Sequence, residues 1–371
     1  KNGTFINSGD PAAGTGAVAT GLTSGPYFPA FAFFGTGTNS PVNFGARSFA
    51  YSAPSGFSPI CTTLLPTPTI ADGSDYFDAK LHTGNGSTQT ISNFEFSPSF
   101  VWVKQRNTSR DHRLANIISG TGKDLRANAN NAEITDANGI TAFNSDGFSV
   151  GSSTGWNQSS GTYVSWCWDA GTSTVSNTDG SITSSVRANP TAGFSIVSWT
   201  SSSSVSTVGH GLNAAPYFII TKNRSVSNAW WSYHFGIGNT KAVRLDSSDA
   251  PSTMSSTWNN TSPTSSVFTV GGEFGNGNSM IAYCFAPVAG YSAVGSYTGT
   301  GSINSTPNFI YTGFRPRFWM HRRTDSAGSW MMLDAARDPD NVVGNQVYAN
   351  LGNAEGSGTE LDFLSNGVRM R

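Results

Sequence analysis

Hydrophobic residues in this chain fall into short runs of strand length, separated by clusters of Gly, Asn, Ser and Asp. Three runs are continuously apolar, at 100–103, 218–220 and 318–320. Runs of this kind are typical of central strands that are covered on both faces. Many short strands with turn signals between them favour a sandwich or barrel over alternating strands and helices. Helix is expected only as single turns near 111–117 and 334–337.

A repeated unit contains most of these predicted strands. Each copy has a proline, an apolar run and a basic end, at 98–104, 216–222 and 316–322. An aromatic strand with a cysteine follows at 163–168 and again at 280–285, at almost the same distance from the first marker. Two markers that keep their register predict tandem copies of one fold.

The third copy ends at Arg371, before any counterpart of the cysteine strand. An unpaired strand edge promotes aggregation, so the edge left behind is expected to be covered. We favour the interpretation that the sequence is a piece of a longer chain, because its start at Lys1 is also abrupt. The alternative is that another segment supplies the strand. A Thr-, Gly- and Ser-rich strand and turn is also expected before each proline, at 80–86, 196–201 and 294–300.

These markers divide the chain into five segments. Residues 1–70 lie outside the repeat frame, and the Pro-rich stretch 64–70 is their expected boundary. The region 171–193 is rich in Ser, Thr and Asn and is predicted to be a linker. The sandwich repeats are predicted at 71–170 (repeat 1), 194–289 (repeat 2) and 290–371 (repeat 3, incomplete).

Composition narrows the class of protein. The 371 residues include 24 Phe, 11 Tyr and 10 Trp, too many aromatic residues for a disordered chain. A net charge of −1 gives no basic face for nucleic acid or an anionic membrane. No apolar run approaches the ~18 residues of a membrane helix, so membrane insertion is not expected. Cys61, Cys167 and Cys284 form no CxxC pair, and we expect neither a metal nor another cofactor.

The first segment resembles the second half of a SPRY-type β-sandwich. The resemblance rests on KNG at 1–3, GPYFPA at 25–30, NFG at 43–45 and PSGF at 54–57. SPRY domains bind partners through loops and are not enzymes, so the resemblance implies a binding module. The first half of the family's fold has no counterpart here, and its binding loops are not carried over.

The rest of the chain resembles an uncharacterised repeat family of virion and tail-fibre-like proteins from marine bacteriophages. The resemblance implies tandem antiparallel sandwiches of the concanavalin-like jelly-roll type, an all-β fold on the surface of a virion. Its motifs are FSPSFVWVK (96–104), DGFSVG (146–151), TYVSWCW (162–168), TVGHGLNAAP (207–216) and YTGFRP (311–316).

Four tryptophans are candidates for carbohydrate binding. Trp156 and Trp258 lie among Gly, Asn and Ser, where loops are expected, and Trp230 and Trp231 are adjacent. Aromatic rings on loops stack against sugars because the contact buries apolar area. The alternative, equally open, is that these rings fold back on their own sandwich or are buried between subunits. The tryptophans inside predicted strands are expected in the core: Trp102, Trp166, Trp168, Trp199 and Trp319.

The chain offers few groups suited to catalysis. Glu360-Leu-Asp362 approaches the paired carboxylates of glucan hydrolases, but Leu364 and Ser365 occupy the positions of the second Glu. His210 lies on a Gly-flanked turn, where it is either a ligand or, as we favour, a histidine bonded to backbone. We therefore expect no enzymatic activity.

Two charged patterns have a functional and a structural interpretation. Asp334, Asp338, Asp340 and Asn341 could bind calcium, but a solvated turn with side-chain to backbone bonds is favoured. The basic strand ends recur in all three repeats and are either anion sites or, as we favour, strand caps paired with a carboxylate such as Asp169. These ends are Lys104 and Arg106, Lys222 and Arg224, and Arg322 and Arg323.

These observations favour a non-enzymatic structural and adhesion protein of a bacteriophage, a tail fibre or capsid-attached fibre. Its expected partners are other virion subunits, including copies of itself, and glycans of the host surface. The alternative is a purely architectural subunit without a ligand. A polysaccharide depolymerase is the third hypothesis, and it requires two carboxylates roughly 5–9.5 Å apart in a cleft.

Overall fold

The computed structural model describes residues 68–301 and 308–371. These residues belong to one compact unit, Pro68–Arg371. Antiparallel strands build this unit, and the described residues contain helix only as single turns, which confirms the all-β prediction. Cys61 and almost all of the SPRY-like segment lie outside the described residues.

Repeat 1 folds into three antiparallel sheets, two of which enclose a hydrophobic core, while the third is a pair of two-residue strands. Its elements are β1 (Phe77–Thr83), β2 (Gln89–Ile91), β3 (Phe100–Gln105), β4 (Arg113–Asn116), β5 (Lys123–Asp124), β6 (Ile134–Thr135), β7 (Ile140–Asn144), β8 (Gly147–Val150), the one-turn helix α1 (Thr154–Asn157) and β9 (Thr162–Trp168). The larger sheet has the order β1-β9-β3-β4 and the smaller β2-β8-β7. Val101 and Val103 of β3 meet Phe148 and Val150 of β8 in this core, because alternate residues of a strand share one face.

Repeat 2 has the same plan with a wider sheet. Its elements are β10 (Thr174–Asn177), β11 (Ser184–Asn189), β12 (Phe194–Thr200), β13 (Ser206–Gly209), β14 (Phe218–Asn223), β15 (Trp231–His234), β16 (Lys241–Arg244), β17 (Ser252–Thr253), the one-turn helix α2 (Ser255–Trp258), β18 (Val267–Val270) and β19 (Ser279–Phe285). The eight-stranded sheet has the order β10-β11-β12-β19-β14-β15-β16-β17, and β13 pairs with β18.

The predicted linker 171–193 is wrong, because it contains β10 and β11. Both strands extend the edge of the eight-stranded sheet. Their composition concealed them, because most of their residues are Ser, Thr or Asn. Of their two valines, Val186 is buried and Val175 is exposed. An edge strand that packs few side chains has too few apolar residues for its alternation to be recognised.

Repeat 3 has two three-stranded sheets. Its strands are β20 (Phe309–Tyr311), β21 (Phe318–His321), β22 (Met331–Asp334), β23 (Val347–Tyr348), β24 (Leu361–Leu364) and β25 (Gly367–Met370). One sheet has the order β21-β22-β23 and the other β20-β25-β24.

The prediction of a helical turn near 111–117, in repeat 1, is wrong, because β4 occupies most of this range.

The three repeats share one central hydrophobic core. Each large sheet turns one face to its own sandwich and the other to this shared core, which takes Phe100 from repeat 1, Tyr283 from repeat 2 and Met332 from repeat 3. Phe100 stacks on Tyr283 with ring centroids 4.1 Å apart. Strands such as β3 are therefore buried on both faces, as their continuous apolar sequence predicts.

Candidate functional site

The four tryptophans proposed for carbohydrate binding are buried. Relative exposure is 0% for Trp156, 1% for Trp258, 0% for Trp230 and 9% for Trp231. A sugar needs access to the face of a ring, so none of these indoles offers a stacking platform in this structure. Of the two interpretations left open, exposure on loops is contradicted, and Trp156, Trp231 and Trp258 fold back into the cores of their own sandwiches.

Trp156 and Trp258 are held by the one-turn helices α1 and α2. Trp156 packs into the core of the repeat 1 sandwich with Tyr163. Trp258 lies against Tyr233 and Phe274 in repeat 2, with ring centroids 5.9 and 6.0 Å apart. The polar residues around each tryptophan concealed this role, because one helical turn is enough to turn the indole inward.

Trp230 belongs instead to a contact between repeats. Its indole N–H donates to the carbonyl oxygens of Arg126 (2.8 Å) and Ala129 (3.1 Å) in repeat 1. Trp330 makes the corresponding bond from repeat 3 to the carbonyl of Arg244 in repeat 2, at 2.8 Å. Sequence reasoning missed this role, although each is the eighth residue after a basic strand end, Lys222 or Arg322.

The basic strand ends form three joints between repeats. Lys104 of repeat 1 donates to the carbonyl of Gly352 in repeat 3, at 3.2 Å. Lys222 of repeat 2 donates to the carbonyl of Asn130 in repeat 1, at 3.0 Å. Arg322 of repeat 3 donates to carbonyls of repeat 2, among them Ser248 at 3.1 Å. The donors run from repeat 1 to 3, from 3 to 2 and from 2 to 1, so the three joints form a closed cycle.

Backbone hydrogen bonds follow the same cycle. The amide of Asn228 in repeat 2 donates to Asn130 of repeat 1, at 2.9 Å. The other two joints contain the equivalent bond, from Arg110 to Gly352 (2.7 Å) and from Gly328 to Ser248 (2.8 Å). Each carbonyl therefore accepts both an amide and a basic side chain.

The two joint lysines are out of solvent. Burial lowers the pKa of Lys104 to about 8, and the same cause lowers the pKa of Lys222 to about 8. Lys222 also lies over the ring of Trp230, 5.9 Å from its centroid. Carbonyl oxygens stabilise both buried ammonium groups, and the ring of Trp230 adds to this at Lys222.

Two joints carry an additional bidentate ion pair. Arg106 donates to Glu355 of repeat 3 at 2.9 and 2.7 Å, and Arg224 donates to Glu133 of repeat 1 at 2.8 and 2.9 Å. The predicted partner, Asp169, instead accepts bonds from its own loop and from Asn189. The prediction of a carboxylate partner was right in type for these arginines but wrong in identity, because the partners lie in other repeats.

The acidic cluster of repeat 3 is part of this framework. Asp334 accepts from the guanidinium of Arg337 at 2.7 Å, and both side chains are fully buried. Arg337 also donates to Glu355, which joins the cluster to the repeat 1 joint. Asp338 accepts from the amides of Gly344 (2.9 Å) and Asn345 (2.7 Å). These side-chain to backbone bonds fit the turn interpretation rather than calcium binding, but the turn is not solvated as expected, because Asp334 is fully buried with Arg337.

The remaining candidates have structural partners. Asp362 pairs with Arg371 at 2.9 Å, which takes it away from a free carboxylate pair with Glu360. His210 accepts from the amide of Leu212, and its other ring nitrogen lies 3.1 Å from the carbonyl of Thr264. This is the backbone-bonded turn histidine that the sequence favoured.

The described part of the chain offers neither a metal cluster nor a membrane-spanning helix. In ranges 68–301 and 308–371, no group of three or more His, Cys, Asp or Glu is arranged to hold a metal ion. Within the same ranges, no helix has the length and hydrophobicity needed to cross a membrane. The arrangement that does recur is the set of inter-repeat joints, and we take these joints as the principal site of the molecule.

Comparison with known proteins places the chain in a family. The sequence model of a family described as a domain of unknown function, DUF7483, matches residues 72–371. No curated protein and no solved structure matches the sequence. The matched range contains all three repeats and every joint described above, so the chain is a member of the DUF7483 family.

Proposed function

We propose that this chain is a non-enzymatic structural module on the surface of a bacteriophage virion, part of a tail fibre or a capsid-attached fibre. The observation that carries the proposal is the closed cycle of buried joints. Lys104, Lys222 and Arg322 are bonded to backbone carbonyls of a neighbouring repeat. Groups that could have bound an anionic ligand are thus committed to holding the repeats together.

The resemblance of its motifs to those of virion and tail-fibre-like proteins supports the location. A surface of Ser, Thr, Asn and Gly with few charges suits a stable module outside the cell. Between the two non-enzymatic hypotheses, burial of Trp156 and Trp258 favours the architectural one. Copies of this chain and other virion subunits are then its partners, and host-glycan binding is the competing hypothesis to be tested.

Immunogold electron microscopy of the phage particles that encode the chain tests the location. Antibodies raised against the purified chain should label intact particles at the tail or on the capsid surface. Labelling of infected cells without labelling of particles would contradict the proposal.

Binding assays separate the architectural module from an adhesin and from an enzyme. The purified chain is incubated with host cells and with their isolated surface polysaccharide. The architectural proposal expects no retention on either and no release of reducing ends. Retention on the polysaccharide would favour the adhesin. Release of reducing ends that disappears in Glu360→Gln would favour the depolymerase.

A further inference from the structure

The edge of β21 is the feature in which repeat 3 differs most from the other two. In repeat 1, β3 lies between β9 and β4, and in repeat 2, β14 lies between β19 and β15. Among the described residues, β21 pairs with β22 alone. The backbone groups on its other side thus face the position that a cysteine strand occupies in each of the other repeats.

Side-chain burial marks the same difference. All six residues of β3 are buried, and β14 is buried except for Phe218. Every residue of β21 is only half-buried, although Phe318, Trp319 and Met320 are large and apolar. A strand with this composition is expected to be covered on both sides, as its counterparts are.

The strand expected on the far side of this position is also not formed in repeat 3 at 294–299. In repeats 1 and 2, β1 and β12 pair with the far side of β9 and β19. Their counterpart in repeat 3 was predicted as a strand, yet residues 294–299 belong to no strand. A strand without its hydrogen-bonding partner has no ladder to join, so the absence of strand at 294–299 matches the β21 edge, with which no further described residue pairs.

His234 provides an independent observation. It is the counterpart of Asn116 and Asp334, because these three residues pair with Phe218, Phe100 and Phe318 in equivalent register. His234 accepts from the amide of Gly236 in its own loop at 3.0 Å, whereas the other two each bond the aromatic residue of a cysteine strand in a neighbouring repeat. Asn116 donates to the hydroxyl of Tyr283 at 3.1 Å, and Asp334 accepts from the indole of Trp166 at 3.0 Å.

We propose that the β21 edge is a strand-acceptor site whose occupant is an extended segment of the β9 and β19 type. The occupant pairs antiparallel with β21 and places a Tyr or Trp opposite Met320, as Trp166 lies opposite Trp102 and Tyr283 opposite Ile220. The aromatic ring of the occupant then reaches His234 and completes the third contact of its kind. This interaction surface goes beyond the proposed architectural function.

Addition of a strand to an exposed sheet edge is an established mode of peptide recognition. Main-chain hydrogen bonds provide affinity, and the pockets for alternate side chains provide specificity. At this edge, Phe318 and Met320 contact the shared core, while Trp319 packs with the sandwich core of repeat 3. The occupant must therefore be apolar on both faces, as β9 and β19 are.

The test appends a strand to the full chain. A copy of residues 271–286, with Cys284→Ser in the copy, is fused after Arg371. The copy includes the connection that joins β18 to β19 in repeat 2. Hydrogen exchange followed by mass spectrometry should then show amide exchange slowed about tenfold or more in 318–321 and in 294–299. The melting temperature should rise by roughly 5 °C.

The matched control is the same fusion with Ile281→Pro in the copy, because proline removes a ladder hydrogen bond. In this control fusion, the rate of amide exchange at β21 should be the same as in the original chain. Equal exchange at 318–321 in the two fusions would overturn the proposal. Protection in a dimer as well as in a monomer supports it, since the edge is occupied in both.

The contact with His234 is tested by a double-mutant cycle in the fusion. The two changes are His234→Phe in the chain and Tyr283→Phe in the copy. Each single change should speed exchange at 318–321 by about fivefold, and the double change should add little to either. Strictly additive effects would overturn the assigned register. Neither result depends on the virion location, so failure here is distinguishable from failure of the proposed function.

Discussion

At the scale of single residues, Asp334 holds the contact between repeats 1 and 3. Its carboxylate accepts from the amides of Ala336 and Arg337, from the guanidinium of Arg337 and from the indole of Trp166. Asp334 and Arg337 are both excluded from solvent. A buried ion pair need not stabilise a fold relative to an apolar pair, but removing one partner leaves an uncompensated charge.

Substitution of Asp334→Ala is therefore expected to lower the free energy of unfolding by about 3 kcal/mol, because the indole of Trp166 and the guanidinium of Arg337 both lose a buried acceptor, although Arg337 keeps its bond to Glu355. Urea denaturation of the full chain measures the change. The matched control is Asp325→Ala, which breaks the exposed pair with Arg323, where the side chains are 74% and 58% exposed. That control should cost less than about 1 kcal/mol. Equal effects of the two substitutions would contradict the structural role assigned to Asp334.

The sequence predicted the recurrence of the basic strand ends but not their partners. Lys104 and Lys222 keep the same place in their repeats, and this regularity is visible in the sequence. Their acceptors are backbone carbonyls of Gly352 and Asn130. A carbonyl is present at every residue, so sequence carries no sign of which one a distant lysine will contact.

At the scale of elements, the one-turn helices α1 and α2 depend on the tryptophans they carry. A single turn is too short to be stable alone, because the cost of the first turn is not recovered. Trp156 fixes α1 to the sandwich, and a Cβ added at Gly139 would lie 2.9 Å from its indole nitrogen. The close approach of Gly139 shows how tightly the sandwich closes around this ring.

Substitutions Trp156→Ala and Trp258→Ala should each lower the free energy of unfolding by about 3–5 kcal/mol, because each leaves a cavity in a sandwich core. Thermal and urea denaturation measure both. Tyr311→Ala serves as control, since Tyr311 is 72% exposed, and it should change stability by less than about 0.5 kcal/mol. If the tryptophan variants kept full stability, the rings would not be core residues, and the sugar-binding hypothesis would regain its candidates.

Strand prediction succeeded where apolar residues were continuous and failed where polar residues occupy strand positions. β3 has an uninterrupted apolar run and was predicted as a central strand. β4, in the region predicted as a helical turn, contains Arg113 and Asn116, both used in polar contacts. The polar residues needed for these contacts removed the alternation by which a strand is recognised.

At the scale of the whole molecule, the described unit is a closed arrangement of three repeats rather than a linear array. In a linear array each repeat contacts only its neighbours along the chain. Here Lys104 reaches from repeat 1 to Gly352 in repeat 3, across the whole of repeat 2 in sequence. The repeats could be counted in the sequence, but their closure could not, because it depends on contacts between the first and third copies.

Acid sensitivity is also a property of the whole molecule, because the histidines are distributed over all three repeats and share one perturbation. Burial lowers the pKa of every one of them below the ordinary 6.5: His82 and His321 to about 4, His112 well below that ordinary value, and His210 and His234 in the same direction. The unfolded chain therefore binds protons near pH 6 that the folded chain does not. Stability that is present above pH 6.5 is lost as the pH falls toward the folded pKa values.

We expect the free energy of unfolding to fall between pH 7 and pH 5, with a limiting slope of about 1.4 kcal/mol per pH unit for each histidine that stays neutral. Urea denaturation at several pH values measures the slope. His82→Phe is the matched variant, because phenylalanine can retain the stacking on Tyr163, whose ring centroid lies 5.1 Å from that of His82. Its slope should be shallower than that of the original chain over the same range. Stability that stayed constant from pH 7 to pH 5 would mean that the histidines are protonated within the fold, and the buried environments described for them would then be incorrect.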